Sequence, residues 1–245
     1  MSSEQFHMGT FRHRPVHGVT IGILVLDTGF LRLPGDVANA STWRFPVQFA
    51  VVRGATPQKV IEEKCESVID LFRTAIDDLA ALGVDGITTT CGFLSALHPQ
   101  LQAHSPVPIA TSSLQQIPLV QSTLPKVKSV GVLVSDKASL TDAHFTGVGA
   151  PIGLPIGELP ADGIIRRNMK ANALDPDFSQ QESEVLDVAE RLLNDNPHIG
   201  ALVSECANFP PYSASLQRKF GLPVYDIVTL VEWFHAGLRP RAYGS

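Results

Sequence analysis

The chain has 245 residues, 44% of them hydrophobic and 18% charged, with 24 acidic against 19 basic side chains and a formal net charge of −5. That length buries a full core without disulfide or metal staples, and the acidic balance excludes the basic footprint that neutralises a nucleic-acid backbone. No apolar run approaches the roughly 20 residues needed to span a bilayer, and the first seventeen residues lack the apolar core of a signal peptide, so a cytoplasmic location is expected.

Residues 19–26 form a short, branched, wholly apolar run that reads as a strand covered on both faces, stopping at Asp27-Thr28-Gly29. Residues 30–46 read as loop, with Pro34-Gly35-Asp36 as a turn, and 47–52 as a second strand. Thr56-Pro57 then reads as an N-cap with proline in the first helical turn. Behind it Val60, Ile61, Cys65, Val68, Ile69, Phe72, Ile76 and Leu79 make a helical stripe ending at Gly83. A third strand over 84–90 runs into Cys91-Gly92-Phe93 and a helical stretch, and 107–110 supplies a fourth strand. This β-α-β-α alternation argues for a parallel sheet with helices on both faces. A second round opens with a strand over 127–134. Residues 141–178, with scattered glycine and proline, read as an irregular segment or lid. Ser179-Gln-Gln-Glu182 matches a capping box ahead of a helix that buries Val185, Ala189, Leu192 and Leu193. A strand over 199–204, a helix over 210–220 closed by Gly221, a strand over 222–225 and a last helix to Gly237 complete the chain.

The two rounds are copies of one pattern. Gly22-Ile-Leu-Val-Leu-Asp27 matches Gly131-Val-Leu-Val-Ser-Asp136, and sixteen residues separate Cys91 from Pro108 just as sixteen separate Cys206 from Pro223. Upstream the copies slip by one, since five residues lead from Gly86 to Cys91 and six from Gly200 to Cys206. The expected fold is therefore α/β, with two pseudo-symmetric lobes of parallel sheet flanked by helices. Its lobes run over 18–120 and 121–225, with the last helix, 226–240, packing back on the first. Ligands of open parallel sheets sit beyond the carboxyl ends of the strands. Cys91 and Cys206 both lie there, so facing lobes would set one thiol on each side of an inter-lobe cleft. A helix N-terminus can lower a cysteine pKa toward neutrality.

On Asp27-Thr28-Gly29, Thr89-Thr90-Cys91-Gly92 and Glu205-Cys206-Ala207-Asn208-Phe209-Pro210, the sequence resembles the aspartate/glutamate racemase superfamily, which includes hydantoin racemases, maleate isomerases and arylmalonate decarboxylases. The resemblance spans about residues 18–238. It implies no cofactor, two cysteines acting as opposed acid and base on a substrate α-carbon, and a role for Asp27 in tuning the first cysteine. The expected activity is that of an isomerase, a racemase or epimerase acting on an amino acid or a carboxylate-bearing derivative. A maleate-isomerase-like or arylmalonate-decarboxylase-like enzyme using one of the cysteines, or a small-molecule binding protein without turnover on the same fold, is the alternative. Glutamate racemases follow their first cysteine with Asn-Thr, whereas Gly92-Phe93 stand here, so free glutamate is not indicated. Thr28, Thr90, Gly92, Thr111, Ser112, Ala207 and Asn208 are the candidate substrate-binding residues, Gly92 through its backbone N–H. A homo-oligomer is expected, with neither nucleic-acid nor membrane partners.

Other features have plainer readings. Cys65 falls on an apolar helical stripe and reads as core. Asp136 reads as a turn former. Glu205 precedes Cys206, and neighbours on a strand point to opposite faces, so contact with the thiol does not follow. If it lay close, its charge would keep Cys206 protonated and leave Cys91 as the thiolate. The eight histidines show no metal-ligand spacing. Arg166, Arg167 and Lys170 read as a solvated patch that could steer an anion.

Overall fold

Each half folds around a four-stranded, wholly parallel sheet. A computed structural model describes residues 18–62 and 68–240, apart from the side chain of Glu62. The first sheet has the order β2-β1-β3-β4, from β1 (Ile21–Leu26), β2 (Val47–Val52), β3 (Gly86–Thr89) and β4 (Ile109–Ala110). The second has the order β6-β5-β7-β8, from β5 (Ser129–Val134), β6 (Ile156–Glu158), β7 (Ile199–Ser204) and β8 (Val224–Tyr225). The two orders are the same permutation of chain order, as expected of an internal duplication. No helix among the described residues is long and apolar enough to cross a membrane.

In the first half α1 (Ile69–Leu82) and α2 (His98–His104) cover one sheet face, where Ile76, Leu79 and Leu101 meet Leu24 and Ile87. In the second, α6 (Phe178–Asp195) and α7 (Pro210–Phe220) do the same, with Val188, Leu192 and Leu216 against Leu133 and Leu202. The remaining faces are covered by exchange. α3 (Ile117–Thr123), which follows the first sheet, packs Ile117 and Val120 onto Val130, Val132 and Val203 of the second. α8 (Ile227–Leu238), which follows the second sheet, packs Ile227 and Val231 onto Ile21 and Ile23 of the first. A β-carbon at Gly86 would strike Phe234 of α8 at 2.7 Å, so glycine permits that approach. Each half thus completes its core with a helix from the other, which fixes the lobes' relative position.

The one-residue slip between the repeats has a local cause. β5 and β7 pair Ser129 with Ile199 and then Val130 with Ala201, so Gly200 is an unpaired bulge residue that absorbs the extra position.

Three expectations need correction. Residues 141–178 are not an irregular lid, because they contain α4 (Asp142–Thr146), the short β6 and α5 (Ile164–Ala171). The helix expected from Pro57 begins instead as a π-helical turn over Gln58–Glu62, with α1 starting at Ile69; Cys65 lies outside the described residues. Ser179 lies inside α6, whose N-cap is Asp177, with its carboxylate accepting from the Gln180 N–H at 3.0 Å.

Candidate active site

The carboxyl ends of the central strands β1, β3, β5 and β7 release the chain at Asp27, Thr90, Ser135 and Glu205. The residues just beyond them converge on one partly open cavity of about 30 Å³, lined by both Cys91 and Cys206. Thr28, Thr90, Gly92, Ser135, Glu205, Ala207 and Asn208 also line it, joined by Phe30, Arg32, Phe93 and Met169. A larger chamber of about 500 Å³ adjoins it and shares Thr28, Pro57, Ile61, Ser135 and Met169 with its wall.

Cys91 is 6% exposed and caps a 3-10 turn, Gly92–Leu97, that continues directly into α2. This places its sulfur at the positive end of a helical run. Its backbone N–H donates to the Thr89 hydroxyl at 3.3 Å, and that hydroxyl donates to the Thr111 carbonyl at 2.7 Å. Cys206 is 5% exposed, and its sulfur accepts from the Asn208 side-chain amide at 3.7 Å. Burial pushes the Cys206 thiol up to about 12, with the Glu205 carboxyl adding to the rise and donors from Asn208 and Ser135 opposing it. Cys206 is therefore a thiol near neutrality.

Glu205 is 1% exposed, and neither carboxyl oxygen has a hydrogen-bond partner among the described residues. Burial pushes it up to about 8, and the charge of Asp136 pushes the same way. Asp136 itself is held by Arg166 at 3.3 Å.

Arg32 escaped the sequence reading. Its guanidinium donates to the Thr28 hydroxyl at 2.8 Å and to the Asn208 side-chain oxygen at 3.0 Å, pairs with Asp36 at 3.3 Å, and stacks on the Phe30 ring at 4.0 Å. These contacts leave further N–H groups for a ligand, because a guanidinium carries five donors. The signal for it was positional: a basic residue in the loop beyond a central strand's carboxyl end, where such sheets bind ligands. That loop is tied to the other half, with Gly29 N–H donating to the Asn172 side chain at 2.8 Å and Leu31 N–H to the Ala173 carbonyl at 2.9 Å.

The other expected site residues divide. Thr28, Thr90, Gly92, Ala207 and Asn208 line the inner cavity with both thiols. Asp27 lines the outer chamber, and its carboxylate accepts from the Gly54 N–H at 2.8 Å. Thr111 and Ser112 are fully buried behind the wall. The Thr111 hydroxyl bonds His98 at 3.1 Å, and Ser112 caps the turn Ser113–Gln116.

No family model matches the chain. Its sequence is 25% identical over 225 residues to a dimethylsulfoniopropionate lyase of Durusdinium sp. clade D, covering 89% of this chain and 74% of that protein. It is 26% identical over 229 residues to dimethylsulfoniopropionate lyase 5 of Emiliania huxleyi, covering 88% of this chain but only 45% of that protein. These names overturn the isomerase expected from the resemblance, since the sequence relatives are lyases. Among solved structures, allantoin racemase from Klebsiella pneumoniae superposes with a TM-score of 0.64 at 14% identity, over 90% of this chain and 87% of that one. Unliganded arylmalonate decarboxylase gives a TM-score of 0.59 at 16% identity, over 92% and 94%. Aspartate and glutamate racemases superpose as well. The fold is shared with these racemases and the decarboxylase.

Proposed function

We propose that the chain is a lyase that eliminates a β-leaving group from a small carboxylate, with dimethylsulfoniopropionate as the substrate to test first. The observation that carries this reading is the meeting of Cys91, Cys206 and Arg32 on one cavity, in a chain whose sequence relatives are named for that lyase reaction. Arg32, braced by Thr28 and Asn208, holds the substrate carboxylate and draws electron density from the adjacent carbon.

Cys91 is the base. As thiolate it takes a proton from the carbon α to the carboxylate. The C–H electron pair becomes the new C=C bond, and the bond from the β-carbon to the sulfonium sulfur breaks with its electrons going to sulfur. The products are dimethyl sulfide, acrylate and a Cys91 thiol, which returns its proton to water. The departing thioether is neutral and needs no proton, so the second thiol has no acid step to perform. Cys206, held protonated by its surroundings, forms part of the wall.

The test is to incubate the purified chain with dimethylsulfoniopropionate and follow both products by NMR. Equimolar dimethyl sulfide and acrylate are expected. A folded protein that leaves this sulfonium untouched overturns the substrate assignment.

A further inference from the structure

The carboxyl of Glu205 has no hydrogen-bonding role among the described residues. It directly follows β7, where its N–H donates to the Leu133 carbonyl at 2.8 Å, and it is among the residues that line the cavity. Both oxygens are buried without a partner among the described residues. A buried carboxyl without hydrogen bonds costs stability, and a side chain with no structural task would be replaced by an apolar one at a gain. Arg32 lines the same cavity but pairs with Asp36. A cationic and an acidic group therefore share one small cavity without neutralising each other, an arrangement that fits a ligand carrying both charges. The same cavity is also lined by Phe30, Phe93 and Met169. Aromatic faces and a polarisable thioether are favourable surroundings for a weakly hydrated onium centre.

We propose that Glu205 is the counter-ion for the substrate's cationic centre, which makes the cavity selective for onium carboxylates, whether sulfonium or quaternary ammonium, over neutral molecules of the same shape. The assignment rests on the lyase reading for the orientation of the substrate, with its carboxylate on Arg32. The groups that bear on the Glu205 charge are Cys206 beside it, Asp136 with its partner Arg166, and Cys91 and Arg32 on the cavity wall. Burial holds the proton on Glu205 near neutrality. An arriving cation favours the carboxylate, so the carboxyl proton passes to the solvent as the cation binds.

Two probes of equal shape test this: 3-(trimethylammonio)propionate and its neutral-headed isostere 4,4-dimethylpentanoate. Calorimetric titration near neutral pH, in two buffers of different ionisation enthalpy, gives affinity and proton release together. The wild-type chain should bind the ammonium probe at least about tenfold more tightly and release close to one proton per cation bound. Above about pH 9, where Glu205 is already ionised, the release should vanish and the preference grow. Glu205→Gln should lose both the preference and the release while still binding the neutral probe. Should that variant fail to fold, the wild-type proton count and its pH dependence carry the test alone. Equal affinity for the two probes, binding of neither, or a Glu205→Gln protein that keeps the preference overturns the assignment. Turnover of a sulfonium without charge preference removes the counter-ion and leaves the lyase reading standing. Charge preference without turnover does the reverse.

Discussion

The Cα of Gly92 lies directly against the carboxyl group and backbone carbonyl of Glu205, leaving no space for a β-carbon at position 92. The residue after one cysteine thus makes room for the residue before the other, and the contact joins the ends of β3 and β7 across the cavity. Gly92→Ala should therefore displace Glu205 or part the two strand ends. Because one clashing atom is backbone, relief is incomplete, and a loss of about 1–3 kcal/mol in stability is expected. Thermal melting together with lyase activity checks this, since both should fall.

Glu205 gives a pH signature of its own. Its folded pKa, raised to about 8 by burial, exceeds its unfolded value of 4.5. Between those values the unfolded chain has lost a proton that the folded chain keeps, so the stabilising difference present at low pH declines as pH rises. Glu205→Gln removes this penalty. The variant should match the wild type near pH 4.5 and exceed it increasingly toward pH 8, by on the order of 4 kcal/mol at most. Denaturant melts at several pH values give the comparison, and a constant offset would show that the carboxyl is not buried as described.

The two thiols should differ in importance. Serine in place of Cys91 removes the proposed base, because a hydroxyl does not ionise near neutrality, and a loss of about 10²–10⁴-fold in kcat is expected. Cys206→Ser keeps a small polar wall and should retain activity within about tenfold of wild type. Steady-state rates for the two variants settle which sulfur takes the proton, and the reverse order would give that role to Cys206.

If Arg32 anchors the carboxylate as proposed, Arg32→Ala should raise KM by about 10–100-fold, the worth of one charge-assisted hydrogen-bond pair. Arg32→Lys keeps the charge but not the planar fork that reaches Thr28 and Asn208 together. It should recover only part of the loss, and KM measurements on both variants separate charge from geometry.

Much of the scaffold is legible in the sequence because each repeat writes it twice. β7 and α7 fall where the apolar run and the proline-to-glycine punctuation place them. The paired cysteines identify the cavity because spacing to a following proline strand is preserved in both halves. β6 is invisible for a physical reason: it has three residues, with Pro155 before it and Pro160 soon after, and owes its existence to pairing with β5 rather than to its own pattern. The cap of α6 is ambiguous in sequence because Asp177 and Ser179 are both good cap residues, and only the fold chooses Asp177. Strand alternation points Glu205 away from Cys206, but β7 ends at Ser204. Beyond a strand's end that periodicity lapses, so Glu205 and Cys206 line the same cavity. Neither charge pattern nor motif announces Arg32, whose place depends on a loop that the other half of the molecule holds in position.

The central claim is that this cavity removes the proton α to a carboxylate and expels the β-substituent. Dimethylsulfoniopropionate carrying two deuterons at that α-carbon tests it most directly. Acrylate retaining one deuteron, formed with a primary isotope effect on kcat/KM and abolished by Cys91→Ser, is the expected result. Acrylate formed with no isotope effect on kcat/KM, or the same yield from the Cys91→Ser protein, would contradict it.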